Sequence, residues 1–158
     1  MLMLAVLALA LSVVPASPIP LPALPGQHVP VVVEQEARDL EVDVNADRER
    51  QNLPALHADE RLHAIALEWA LHMANQHFFG HFDFEGRGLV DRLHDAAYVV
   101  HFAAENLSLE GDAHSANTAL MSSEGHRANI LSTSAKRIGV AAVNIAPRET
   151  LFVEDFSD

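Results

Sequence analysis

Two β-rich runs close the chain, RIGVAAVNIA over 137–146 and ETLFVEDF over 149–156, with only Pro147 and Arg148 between them. A link this short joins antiparallel neighbours and leaves no room for a crossover helix, so the pair reads as a β-hairpin. The upstream residues must therefore supply the layers that cover it. Over 34–51, Ala37, Leu40 and Val44 recur at the helical period, with Arg38, Arg48 and Arg50 among acids on the other faces, and Asn52 and Pro54 end the helix. A second helix is expected to start at Asp59 as N-cap, to carry the core stripe Leu62, Ile65, Ala66, Trp69 and Met73, and to run to about Gln76. Downstream, the pattern predicts a short helix over 88–95 with Leu89, Val90 and Leu93 inward and a strand over 98–103. It also predicts a helix over 112–121 and a further short helix from Ser122 or Ser123 to about Leu131. Helices first, a hairpin last and no βαβ alternation argue for an α+β fold with a small antiparallel sheet.

The chain opens on MLMLAVLALALSVVPASP, a fourteen-residue apolar run ending in small residues. That is the length of a signal-peptide core and falls short of the roughly 20 residues a membrane span requires. Residues 1–16 are expected to be a signal peptide cleaved after Ala16, although no Lys or Arg precedes the apolar run. Export without stable membrane insertion, to the outside of the cell or to the cell envelope, follows from that reading. Prolines 15, 18, 20, 22, 25 and 30 crowd the next segment, so residues 17–33 read as an extended proline-rich spacer and 34–158 as one folded domain.

Composition removes whole classes of function. Ten Lys and Arg stand against twenty-two Asp and Glu, with no basic run longer than two, which argues against nucleic acid and against an anionic membrane surface. The absence of cysteine excludes disulfides, thiolate metal sites and thiol nucleophiles. Ten histidines are many for 158 residues, and most of them, including His63, His72, His94, His101 and His114, read as incidental.

The segment HFFGHFDFEGRG, 77–88, places His77 and His81 four apart, the spacing at which one helix face shares a metal. Gly80 interrupts the helix between them, and Phe78 stands where a zinc-protease pattern needs a Glu. His77 therefore reads as the end of the core helix. Phe78, Phe79, Phe82 and Phe84 read as core or cleft wall, with contact to an apolar ligand as the alternative.

Taken in order, GHFDFEGRG, AAENLSLEG, MSSEGHRANIL, RIGVAAV and LFVEDF resemble the CAP superfamily in its bacterial SCP-like branch. The superfamily is named for cysteine-rich secretory proteins, antigen 5 and pathogenesis-related class 1 proteins. The likeness spans about 37–156 and extends to the opening helices, where Asn45 and Arg48 occupy the places of the branch's usual Asn and Arg. It implies a three-layer α-β-α sandwich, a small antiparallel sheet flanked by helices on both faces. It also implies a cleft in which His81 matches the first histidine, Glu105 the acid of the Glu-Asn motif, and His126 the second histidine. Where relatives commonly read Trp and Pro around that second histidine, this chain has Leu120 and Glu124, so Glu124 joins the cleft candidates as an added carboxylate.

In family members these groups can hold a divalent metal, so the resemblance implies His81 and His126 as ligands for an ion such as zinc. Two imidazoles and a carboxylate from separate segments also suit that chemistry on their own terms, and so does a metal-free arrangement in which Glu105 orients one imidazole. A purely structural alternative makes the same three side chains a buried hydrogen-bonded network. Asn106 reads as a structural side chain and Arg127 as a salt-bridge or surface residue. The resulting expectation is a secreted binding module for a lipid, a peptide or a cell-envelope ligand. The rivals are a metal- or histidine-assisted hydrolase and an envelope structural protein.

Overall fold

A computed structural model describes residues 17–21 and 29–158. The expected signal peptide, 1–16, and residues 22–28 of the proline-rich segment lie outside the described residues. In chain order the elements are β1 (Ile19–Pro20), β2 (Val31–Val32), α1 (Glu34–Arg50), β3 (His57–Ala58), α2 (Glu60–Gln76) and β4 (Phe78–Phe79). There follow α3 (Leu89–Asp95), β5 (Ala103–Glu110), α4 (Ala113–Ser122), α5 (Glu124–Ile130), β6 (Arg137–Ala146) and β7 (Glu149–Ser157).

The C-terminal hairpin organises the rest. β6 and β7 pair antiparallel, β5 pairs with the far side of β7, and β2 and β3 pair with β6, giving the path β2-β6-β7-β5. Because side chains alternate along a strand, each face of this sheet gathers its own core. Leu107, Ala141, Val143, Leu151 and Val153 pack with Trp69, Ala70 and Met73 of α2. Ile138, Val140, Ala142, Phe152 and Phe156 pack on the opposite face with Leu40 and Val44 of α1, Leu120 of α4 and Ile130 of α5. Both faces of β6 and β7 are thus covered, which is why these strands read as near-continuous apolar runs and why the fold is an α-β-α sandwich.

Local chemistry sets the helix ends. The Asp59 carboxylate accepts from the N–H groups of Arg61 and Leu62, both at 3.0 Å, and starts α2; His77, in the left-handed region at φ 54°, stops it. Arg48, on α1, is buried and donates to the carbonyls of Pro54 (2.9 Å), Ile130 (2.7 Å) and Ser132 (2.9 Å), so one guanidinium fastens the end of α1 to the end of α5.

Two expectations shift. The strand predicted over 98–103 begins only at Ala103, because the Asp158 carboxylate accepts the N–H groups of His101 (2.9 Å) and Phe102 (3.1 Å), and Tyr98 is drawn aside to donate its hydroxyl to Asp59 at 2.8 Å. Val90, expected inward, is 75% exposed, while Leu93 is buried. In the proline-rich segment, Ile19 and Pro20 run antiparallel to Phe79 and Phe78, and Val31–Val32 add to the edge of β6.

The α2 layer sits very close to the sheet at Gly139. A Cβ there would lie 2.2 Å from the His63 nitrogen and 2.3 Å from the Leu62 carbonyl carbon, both main-chain atoms that cannot swing away. Gly139→Ala is therefore expected to destabilise the fold by about 3 kcal/mol, read as a lower urea midpoint by circular dichroism. An unchanged midpoint would show that the layers can separate at no cost.

Candidate functional site

Adjacent residues on β5, the outer strand of the sheet, assemble the site from opposite faces. Glu105 and Asn106 are buried. Opposite them on β7 stand Asp155 and Glu154, also fully buried.

On the α2 side, Glu105 binds two partners. One oxygen lies 2.8 Å from Nδ1 of His81, and the other accepts from the guanidinium of Arg92 on α3. Arg92 lies over the Trp69 ring at 4.0 Å, so the cation is fixed by an aromatic face as well as by its carboxylate. His81 itself sits on an ordered loop. The Asp83 carboxylate accepts from the N–H groups of Glu85 (3.0 Å) and Arg87 (2.8 Å), and Phe82 packs so closely on Gly88 that a Cβ there would meet its ring at 2.7 Å. His77, by contrast, ends α2 and takes no part.

On the other face, the Asn106 amide donates to Glu154 at 2.9 Å and to the His126 carbonyl at 3.1 Å, while its oxygen accepts from Asn129 at 2.9 Å. Asn129 also donates to the Glu105 carbonyl at 3.4 Å. These bonds hold α5, and with it His126, against β5. The Arg127 guanidinium donates to the Met121 carbonyl at 2.8 Å, tying α5 back to the end of α4.

The structure therefore bonds His81 to Glu105 and brings His126 near enough to His81 for their charges to interact. His126 is held below the ordinary histidine value of 6.5, first by burial and then by the proximity of His81. Glu124 is exposed in the first turn of α5 and makes no hydrogen bond or ion pair with the described residues. Both Glu105 oxygens are engaged, so this carboxylate orients His81 and compensates Arg92. With Nδ1–H donated to Glu105, a neutral His81 keeps Nε2 as an acceptor, a base or a ligand. Among the described residues, no group of three or more His, Asp or Glu side chains has the arrangement to hold a metal ion. Ser122 donates its hydroxyl to the Thr118 carbonyl at 2.7 Å, an ordinary helix back-bond that offers no nucleophile to His126.

Sequence reasoning missed three participants. Arg92 lies in the same short helix as the core-facing Leu93, and nothing local in the sequence pairs it with Glu105. Glu154 and Asp155 are adjacent acids inside an apolar strand covered on both faces, so one must face each core. Burial raises Glu154 from the ordinary 4.5 to about 8. Burial, then the Glu105 carboxylate opposite, push Asp155 well above the ordinary 3.8, while Arg92 works against the shift.

These shifts generate two predictions. Between pH 4.5 and about 8, the unfolded chain releases the Glu154 proton and the folded chain keeps it, so stability falls as pH rises through that window, with Asp155 acting in the same sense. Glu154→Gln is expected to flatten part of that fall, measured as urea midpoints at about pH 5 and about pH 8. Separately, the His126 ring should titrate below 6.5 by NMR and move upward, without reaching the ordinary value, in His81→Ala, because one of its two causes is removed and burial remains.

The sequence model of the Cysteine-rich secretory protein family, CAP, matches residues 43–156. No curated protein matches the chain. Among solved structures, an extracellular protein containing a SCP domain from Bacillus anthracis str. Ames superposes with a TM-score of 0.70 at 25% identity, over 78% of this chain and 40% of that one. An outer surface protein of Borrelia burgdorferi superposes with a TM-score of 0.75 at 19% identity, over 82% of this chain and 98% of the other. A cysteine-rich secretory protein of Staphylococcus aureus gives 0.63 at 18% identity over 79% of this chain and 39% of its own. The chain thus spans about two fifths of the Bacillus and Staphylococcus proteins. No helix among the described residues is long and apolar enough to cross a membrane.

Proposed function

The chain belongs to the cysteine-rich secretory protein (CAP) family, and from that premise we propose that it is an extracellular binding module whose ligand site is the cleft between His81 and His126. The observation that carries this reading is the 2.8 Å contact between His81 Nδ1 and Glu105, which fixes one imidazole and leaves its Nε2 available. The likeness to extracellular and outer-surface proteins supports the location, as does the apolar N-terminal run with its small-residue end.

A divalent metal such as zinc fits this donor set as a two-histidine site. His81 would bind it through Nε2 with Glu105 holding the opposite ring nitrogen, the usual carboxylate support of a metal-binding imidazole, and His126 would be the second ligand. When bound, the metal would supply Lewis acidity toward an oxygen donor. Two protein ligands leave the remaining coordination to the bound molecule, which favours a peptide, a lipid headgroup or an envelope component carrying a carboxylate or phosphate. With the His126 pKa held below 6.5, protons compete only weakly with a metal for its ring near neutral pH.

The same His81–Glu105 pair suits a second reading, in which His81 takes a proton from an attacking water. Glu105→Gln separates the two. A hydrolase would lose turnover of a peptide and ester panel, whereas a binding module shows none to lose.

The test is calorimetric titration of the full chain with zinc near neutral pH. Saturable binding is expected, weakened by about tenfold to a hundredfold in Glu105→Gln and by more in His81→Ala or His126→Ala. Absence of zinc binding, or equal affinity in all four proteins, would remove the metal from the proposal.

A further inference from the structure

His81 is joined to the core by a chain of contacts that ends on Trp69. At the outer end, the His81 side chain is 46% exposed, and its one side-chain hydrogen bond among the described residues is the 2.8 Å contact of Nδ1 with Glu105. No other hydrogen bond fixes which way the ring turns. Glu105, with a side chain only 4% exposed, meets His81 with one oxygen and the Arg92 guanidinium with the other. Arg92 is held in turn by two partners. Its Nη2 donates to Glu105 and its guanidinium carbon lies 4.0 Å from the centre of the Trp69 ring, while Nε and Nη1 meet no acceptor among the described residues. Trp69 is buried on α2, with His72 stacked on it at 5.4 Å and Phe78 edge-on at 5.6 Å. The fixed end of the chain is core, and the free end is a histidine of the cleft.

This chain of contacts has a definite chemical output. A carboxylate paired with a guanidinium only accepts hydrogen bonds, so the ring nitrogen facing it must carry the proton and Nε2 keeps its lone pair. Asp155, directly opposite Glu105 on β7 and fully buried, is itself an acid and cannot replace the cation. With Arg92 in place, one carboxylate oxygen is aimed at His81. Without it the carboxylate is free to turn, the ring turns with it, and the proton can sit on either nitrogen. We infer that Arg92, seated on Trp69, is a positioning residue of the His81–His126 cleft and, acting through Glu105, sets which ring nitrogen of His81 the cleft presents. The inference rests on the reading of that cleft as the ligand site. A cleft set this way offers His81 as an acceptor, to a metal ion or to an O–H or N–H of the bound molecule, and has no donor there for a bare carbonyl.

The test reads the ring itself. Long-range 15N spectra of the metal-free full chain, with the ring neutral and His81 identified by its loss in His81→Ala, distinguish a protonated from an unprotonated imidazole nitrogen. In the parent, His81 is expected in the Nδ1–H form alone. Arg92→Gln, which keeps the helix propensity of the position and removes the cation, should lose that single form and show both. Arg92→Lys keeps a charge that cannot lie flat on the indole, and should fall between the two. A side chain of merely structural worth would lower the urea midpoint in these variants and leave the ring form as it was. The inference is overturned if the parent shows the Nε2–H form, or if either folded variant keeps the parent's ring pattern. Because the spectra are taken without metal, a chain that fails to bind zinc loses the metal and not this inference. An unchanged ring pattern removes this inference and leaves zinc binding standing.

Discussion

The site depends on the two-residue period of a single strand. Glu105 and Asn106 are neighbours on β5, so their side chains must leave the sheet on opposite faces. Glu105 collects His81 and Arg92 from the α2 side, and Asn106 collects α5, with His126 and Asn129, from the other. β5 lies at the end of the β2-β6-β7-β5 path. A shift of one residue in the β5–β7 register would exchange the faces and separate the histidines, so the hairpin register and the site are one constraint.

That arrangement puts two buried acids, Glu105 and Asp155, on the face that holds the Arg92 guanidinium, and a third, Glu154, on the opposite face beside Asn106. Two carboxylates beside one cation, and a third with no cation, are not stable in a dry interior if all are charged. The sheet resolves this by position. Glu105, at the edge, reaches Arg92 and His81, while burial raises Glu154 to about 8 and pushes Asp155 well above its ordinary value, favouring the protonated form of each. Of the two acids on its face, Arg92 is bonded by Glu105.

How far this was legible in the sequence varies with the physics of each element. The extent of α2 was readable because Asp59 is a side-chain cap and Gly80 follows the last apolar turn, both local signals. The hairpin was readable because its connection is only two residues long. The start of β5 was not, since it is set by Asp158, whose carboxylate arrives from the far end of the chain to take the N–H groups that a strand over 98–103 would need. His81, Glu105 and His126 came from motif resemblance, whereas Arg92 had no motif and its contact with Glu105 emerges only when α3 is docked on β5. The proline-rich segment read as a spacer from its composition, and composition is silent on the pairing of Ile19–Pro20 with Phe78–Phe79.

The engagement of Glu105 separates this site from a three-ligand metal centre. A carboxylate with one oxygen on an imidazole and the other on a guanidinium can contribute to binding only through His81. Glu124, in the first turn of α5, is exposed and makes no hydrogen bond or ion pair with the described residues. If the cleft holds an ion, the protein contributes two neutral nitrogens and no formal charge. An ion held that way keeps most of its positive charge for the molecule that completes its coordination, so affinity and selectivity would follow from the donor oxygens of that molecule. The chain's acidic balance, twelve net negative charges, then works against a highly anionic partner at long range and leaves short-range coordination to decide.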